Sequence, residues 1–177
     1  MIDYDGMDDP ERVPGPRAVD PSERAAGLWD FGAVHSVDYG VEIETAAGRY
    51  FTVTWDPTNG QQEGIGIREA RSIGRVVRPD ADIAVWDVSA SSLWAPLVGH
   101  RVEAVVLDYL SWSDEGGWWC PVLTITSVGG GVVLGLGDAH PDGTPVPSAD
   151  NVLVVAYPTN ITFLVPNPSP GSGSLDA

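Results

Sequence analysis

A histidine between two aspartates is the arrangement in this sequence that comes nearest to catalytic chemistry. His140 stands in the motif DAHPD at 138–142, on a long segment rich in turn-forming residues, where functional side chains concentrate. Asp138 and Asp142 could orient the imidazole or raise its pKa, as for a general acid or base. The alternative, which we favour, is an acidic turn without chemistry, because no second ligand or base shares the motif.

Tryptophan is the second residue type that suggests a site, since the chain contains seven. Trp112 and Trp118 flank an acidic loop that holds Asp114 and Glu115. Tryptophan is enriched at interface hot spots because it buries a large area at a modest cost in conformational entropy. The pattern predicts either a tryptophan-lined pocket for a small ligand or an acidic protein-binding face with aromatic anchors. A third interpretation places most of the tryptophans in the core.

Motifs for metal binding, phosphate binding and nucleophilic catalysis are absent from the sequence. His35, His100 and His140 do not have HxxxH or HExxH spacing, and no GxSxG or Walker motif is present. The single cysteine, Cys120, excludes a cysteine-based zinc site and an internal disulfide. It stands beside an apolar run, where we expect a buried small hydrophobic residue. We therefore predict no catalytic residue, no metal and no cofactor.

The charge balance is strongly acidic. The chain has 25 acidic and 9 basic residues, all of them arginine, and a net charge of −16. Such a surface repels phosphate backbones and anionic lipids, so nucleic acid and membrane are not expected as partners. A basic protein is the natural complement, because opposite potentials steer the encounter of two proteins. The alternative is that the charge serves solubility alone.

Four of the nine arginines are concentrated in residues 68–78: Arg68, Arg71, Arg75 and Arg78. This segment could bind a phosphate or another anion, or it could neutralise carboxylates of the same chain. We favour neutralisation, because no glycine-rich loop follows a strand at this place.

Short apolar segments predict the elements that position these residues. Residues 41–45 and 50–55 alternate with a period of two around a turn, which predicts a hairpin. We expect residues 102–109 to place one face in the core and to leave the other partly covered. A helical turn is expected at 89–95. Further strands are expected at 62–67, 82–86, 120–127, 132–136 and 151–157.

These elements predict a mainly β fold: an antiparallel sandwich or partly open barrel of about eight short strands, with one or two short helical turns. Residues 1–26 are predicted as a mobile acidic arm, 27–165 as a single β-rich domain and 166–177 as a disordered tail. Neither a signal peptide nor a membrane span is recognisable in the sequence, so we expect a cytoplasmic protein.

Several short motifs within residues 82–157 have a familiar order: WDVSAS at 86–91, WAPLVG at 94–99, RV at 101–102, PDG at 141–143 and ADN at 149–151. In this order the chain resembles small uncharacterised bacterial proteins, some of which are encoded beside polymorphic toxins and look like immunity proteins. The resemblance implies a non-enzymatic protein that neutralises a cognate toxin by masking its active site. If that site is basic, an acidic inhibitor matches it electrostatically.

The leading prediction is therefore an acidic protein-binding domain with a basic protein partner. Its predicted partner-binding residues are Asp108, Trp112, Asp114, Glu115, Trp118, Asp138, His140 and Asp142. The alternative is a small-molecule-binding β-barrel, or an enzyme, that uses a tryptophan-lined pocket and His140.

Overall fold

A computed structural model describes residues 2–3, 29–37, 40–55, 64–71, 84–111, 118–148 and 151–159 of the chain. The strands in this part are β1 (Ile2–Asp3), β2 (Val34–Val37), β3 (Val41–Glu44), β4 (Tyr50–Trp55), β5 (Ile65–Arg68), β6 (Ala84–Val85), β7 (Val102–Ser111), β8 (Trp118–Ser127), β9 (Gly130–Leu136), β10 (Asp138–Ala139), β11 (Pro145–Val146) and β12 (Val152–Ala156).

The largest layer is a five-stranded antiparallel sheet with the strand order β2-β12-β9-β8-β7. β8 and β9, the strands predicted at 120–127 and 132–136, form a second hairpin, in which Leu123 lies opposite Leu134. Its turn requires Gly130, which has a φ of +131° and packs against Pro96. β12 is apolar on both faces, and all of Val152–Val155 is buried, as expected for a strand inside a covered sheet.

The second layer is a three-stranded antiparallel sheet with the order β3-β4-β5. The predicted first hairpin is confirmed, because Val41 lies opposite Val53 and Ile43 lies opposite Phe51. The predicted third strand is also confirmed as β5, with Ile65 buried. The alternation of apolar and polar residues in these short strands therefore decides which side chains enter the core.

One hydrophobic cluster joins the two sheets. It contains residues of β3, β4 and β5 on one side and residues of β2, β8, β9 and β12 on the other. Leu93 and Trp94 enter this cluster from the segment between β6 and β7. Ala95 N–H donates to the Ser91 carbonyl at 2.9 Å, and Val98 N–H donates to the Trp94 carbonyl at 3.2 Å. The predicted helical turn therefore exists as a run of hydrogen-bonded turns that carries two core residues.

The predicted mainly β, antiparallel fold is confirmed, and the sheets of the described residues do not close into a barrel. Two minor pairs complete it: β1 with β6, and β10 with β11. β1 falls within the segment predicted as a mobile arm; the rest of that segment and the predicted tail lie outside the described residues. In the described ranges, no helix is long and apolar enough to span a membrane.

Candidate functional site

The outer edge of β7 is the most exposed part of the five-stranded sheet. β7 is ten residues long and pairs along one edge with β8. Among the described strands, none pairs with its other edge, which we call the β7 edge. A long edge strand presents a row of backbone N–H and C=O groups that can accept a further strand.

Apolar side chains are exposed along most of β7. The exposed fractions are 47% for Val102, 41% for Val105, 48% for Val106 and 58% for Tyr109. Only Leu107 and Leu110 are half-buried, and Leu107 packs against the main core. The expectation that one face of residues 102–109 lies in the core was therefore wrong for most of the strand.

Two irregularities interrupt the simple alternation of β7. The register with β8 shifts between Val102 and Ala104, and again between Asp108 and Leu110. The first shift inserts Glu103 into β7, whereas the second sets two residues of β8, Cys120 and Pro121, against Tyr109 alone. An extra residue of this kind is a β-bulge, and it moves the following side chains of its strand to the opposite face. Consequently Val102 lies on the same face as Val105, rather than with Ala104 and Val106 as the alternation predicted.

Two acidic residues of β7 lie at or beside the register shifts: Glu103 is the extra residue of the first shift, and Asp108 precedes the second. Glu103 and Asp108 are exposed, and Asp108 lies opposite Val122 of β8. Asp108 is therefore placed on the β7 strand at the protein surface, as a partner-binding residue requires. Trp112, Asp114 and Glu115 lie outside the described residues. The backbone of Trp118 lies in β8 opposite Ser111, and its side chain is outside the described part.

The histidine motif forms a small hairpin, with β10 and β11 as its two strands. His140 N–H donates to the Thr144 carbonyl at 2.9 Å, and the His140 side chain is exposed. Asp142 accepts the Thr144 N–H at 2.9 Å, and these hydrogen bonds from Thr144 lower the pKa of the Asp142 carboxyl. Asp138 accepts the hydroxyl of Ser36 at 2.6 Å. Both carboxylates thus hold the hairpin in place.

The register of the large sheet separates the predicted residues into two groups. A single row of directly opposed residues crosses the sheet: Asp108, Val122, Gly135, Leu153 and Ser36. Asp138 is hydrogen-bonded to the last of these, four strand spacings or about 19 Å from the first. Asp108 and the His140 hairpin are therefore at opposite edges of one sheet and do not converge on one another.

A buried histidine lies beneath the opposite edge, and the sequence did not single it out. His35 of β2 is only 1% exposed. Trp94 Nε1–H donates to His35 Nδ1 at 3.3 Å, which leaves the proton of the neutral ring on Nε2, 3.6 Å from Asp30 Oδ1. The ring of Trp29 packs edge-on against it at 5.0 Å between centroids. Burial lowers the pKa of His35, and Asp30 acts in the opposite direction.

The residue types in this histidine cluster are those of a catalytic site, but the cluster is buried like the hydrophobic core. No face of His35 is open to a substrate, and its acceptor nitrogen is already occupied by Trp94. We therefore interpret the cluster as structural. Its sequence signal is the polar pair His35-Ser36 within the otherwise apolar segment AVHSV at 33–37, which marks a buried strand with hydrogen-bonded polar residues.

The remaining polar candidates are satisfied within the chain. Arg71 pairs with Glu42 at 3.3 Å and lies over the ring of Tyr50, so it neutralises a carboxylate of its own chain. Arg75 and Arg78 lie outside the described residues, and whether residues 68–78 bind an anion stays a prediction. Cys120 is buried as expected, and burial raises the pKa of its thiol. Within the described ranges, no group of three or more histidine, cysteine or acidic residues could hold a metal ion.

Comparisons of the chain with family models, with curated proteins and with solved structures found no match. The resemblance to immunity proteins therefore stays a prediction.

Proposed function

We propose that this protein is a non-enzymatic binding protein that takes up a basic protein partner at the β7 edge. The observation that supports this proposal is the exposure of four large apolar side chains along one edge strand: Val102, Val105, Val106 and Tyr109. These side chains lie on both faces of the strand, and apolar surface concentrated along one exposed edge marks an interaction site. Exposed valines at a sheet edge also promote aggregation. Their presence here therefore favours a binding role for this edge.

The charge of the chain supports a basic partner. A net charge of −16 produces a negative potential around the whole protein, which raises the rate of encounter with positively charged proteins. Glu103 and Asp108 add two exposed carboxylates to β7 itself. Apolar contacts would then hold a partner that electrostatic attraction has brought to the edge.

A finer proposal is that the partner is a toxin and that this protein is its immunity protein. Its support is the resemblance of residues 82–157 and the match between an acidic inhibitor and a basic active-site surface. The alternative use of His140 with its two aspartates has no comparable support, because both carboxylates accept hydrogen bonds that hold the hairpin.

A binding experiment tests the proposal. The full chain is immobilised and exposed to an extract of the cells that encode it at about 0.02 M salt, and retained proteins are released at about 1 M salt. We expect at least one basic protein to be retained and released in this way, and its purified form to bind in solution. For a toxin, co-expression of the two proteins would restore growth. Retention of no basic protein at low salt would overturn the proposal.

A further inference from the structure

We infer that the β7 edge binds its partner by strand addition: an extended, basic segment of the partner protein pairs with β7 as a sixth strand of the large sheet. This inference rests on the proposed function and specifies how the site works. In strand addition, main-chain hydrogen bonds supply much of the affinity, and alternate side chains supply the specificity.

The backbone of β7 has the capacity for such pairing. Between the two register shifts, residues 104–108 pair regularly with β8. Alternate residues of a strand direct their N–H and C=O groups to opposite edges, so every second residue of this run presents both groups to the β7 edge. A strand that pairs there would satisfy them.

The side chains of β7 extend this capacity to both faces of the sheet. Val105 lies opposite Ile125, on the face of the main core, and Val106 lies opposite Thr124, on the other face. Both valines are more than 40% exposed. An added strand would place its alternating side chains beside these valines on the two faces, where cross-strand apolar pairs stabilise a sheet. The incoming segment should therefore contain apolar residues on both faces.

Charge decides between a basic segment and a second copy of this chain. Two copies would each bring a charge of −16, together with their own Glu103 and Asp108, to one shared edge. Like charges that face one another across a strand pair are destabilising. Arginine or lysine in the incoming strand would instead pair with these carboxylates. The occupant is therefore an extended segment in which valine-like residues are interspersed with basic ones.

The test measures the binding of a synthetic peptide to the full chain. The peptide is about as long as β7, and in it two valines alternate with two arginines. Val106→Lys places a positive charge on the strand, whereas Val128→Lys makes the same change at another exposed valine, in the β8–β9 turn. We expect V106K to weaken peptide binding about tenfold and V128K to change it less than about twofold. The same peptide with N-methyl groups along both edges should bind about tenfold more weakly, because neither edge can then complete the ladder. Hydrogen exchange should slow in β7 and stay unchanged in β2.

The outcomes separate the inference from the proposed function. If the unmodified peptide binds V106K and V128K equally, or if N-methylation on both edges has no effect, binding is only electrostatic and strand addition is overturned. If a basic partner protein is retained and V106K weakens its binding, but the backbone amides of β7 stay unprotected, the proposed function stands and the inference fails. A dimer of the chain at micromolar concentration, with β7 protected, would also overturn it. Unfolding midpoints of both variants confirm that each is folded.

Discussion

The two edge strands of the large sheet, β2 and β7, differ in length and in burial. β2 is four residues long, and every one of them is buried, whereas β7 is ten residues long and mostly exposed. The outer edge of β2 is covered by the preceding chain: Ser36 N–H donates to the Trp29 carbonyl at 2.9 Å, and Phe31 N–H donates to the Val34 carbonyl at 2.9 Å. Short, covered edges are how β proteins avoid unwanted pairing.

The large sheet is therefore covered by other parts of the chain at the β2 edge but not, among the described residues, at the β7 edge. Below β2, the His35–Trp94 hydrogen bond fixes the strand to the turn segment, and above it Ser36 is fixed to the β10–β11 hairpin. β7 has no equivalent cover among the described residues, and its valines face water on both sides. β2 is therefore the covered edge of the sheet, and β7 is the open edge at which we propose recognition.

The largest expected effect comes from breaking the cover of β2. Trp94→Ala removes a side chain that is 5% exposed and leaves a cavity in the main core, so we expect a loss of about 3–5 kcal/mol in the free energy of unfolding. Val98→Ala, at an exposed position of the same segment, is the control and should cost less than about 0.5 kcal/mol. Urea denaturation measures both. Equal losses for the two variants would contradict the structural role of the segment.

A matched pair of lysine substitutions compares the edges directly. Val34 and Val106 lie at the two ends of one cross-strand row, but Val34 is 7% exposed and Val106 is 48% exposed. Val34→Lys buries an unpaired charge and should cost about 3 kcal/mol of unfolding free energy, whereas V106K should stay within about 0.5 kcal/mol. Thermal and urea unfolding of both variants check this. A similar loss at the two positions would show that the edges are equivalent.

The pH dependence of stability should report the buried histidine. Because the pKa of His35 in the fold is below its ordinary value of 6.5, the unfolded chain binds the proton more readily than the folded chain does. The stabilisation is therefore complete above the unfolded pKa and is lost as the pH falls from there toward the folded pKa. The slope from one group is at most about 1.4 kcal/mol per pH unit.

Two glutamine variants isolate this contribution. His35→Gln should remove part of the slope as the pH falls below about 6.5, whereas Val128→Gln, at an exposed residue that cannot titrate, should leave it unchanged. Urea unfolding across this range gives the slopes. If neither variant alters the slope, another group is responsible for it.

The smallest expected effect concerns the Ser36–Asp138 hydrogen bond. Ser36→Ala removes a donor to a carboxylate that still accepts the Ala139 N–H at 2.6 Å, so the expected loss in unfolding free energy is about 1–2 kcal/mol. Thr144→Ala, which keeps its backbone N–H donor to Asp142, serves as the control. Hydrogen exchange in β2 should accelerate for S36A alone. Unchanged exchange would show that the hairpin does not hold this edge.

Local pattern predicted much of the fold but little of the site. The β3–β4 hairpin and β12 follow from alternation and apolar runs, which depend on neighbouring residues only. The position of β7 at a sheet edge does not follow from its sequence, because an alternating apolar strand has the same sequence pattern with or without a neighbouring strand. Its first register shift, at Glu103, carries no glycine or proline, whereas the second lies opposite Pro121 of β8, the one local signal of an irregularity here.

The long-range contacts could not be predicted from the sequence either. Ser36 and Asp138 are 102 residues apart, and His35 is 59 residues from Trp94. The sequence placed Asp138 beside His140 and suggested that it acted on the imidazole, whereas its carboxylate is bonded to β2. Only the strand order brings these pairs together, and strand order is not encoded in any local motif.

The contact between Gly64 and Cys120 makes the one thiol of the chain a reporter. A side chain at Gly64 would lie 3.3 Å from the backbone nitrogen of Cys120, so β5 approaches β8 closely at this point. The thiol is 4% exposed and donates to the Val122 carbonyl at 3.2 Å. A thiol reagent therefore reaches it only when the local structure opens. The rate at which the reagent labels Cys120 in the intact protein therefore measures this local opening, and no probe has to be introduced.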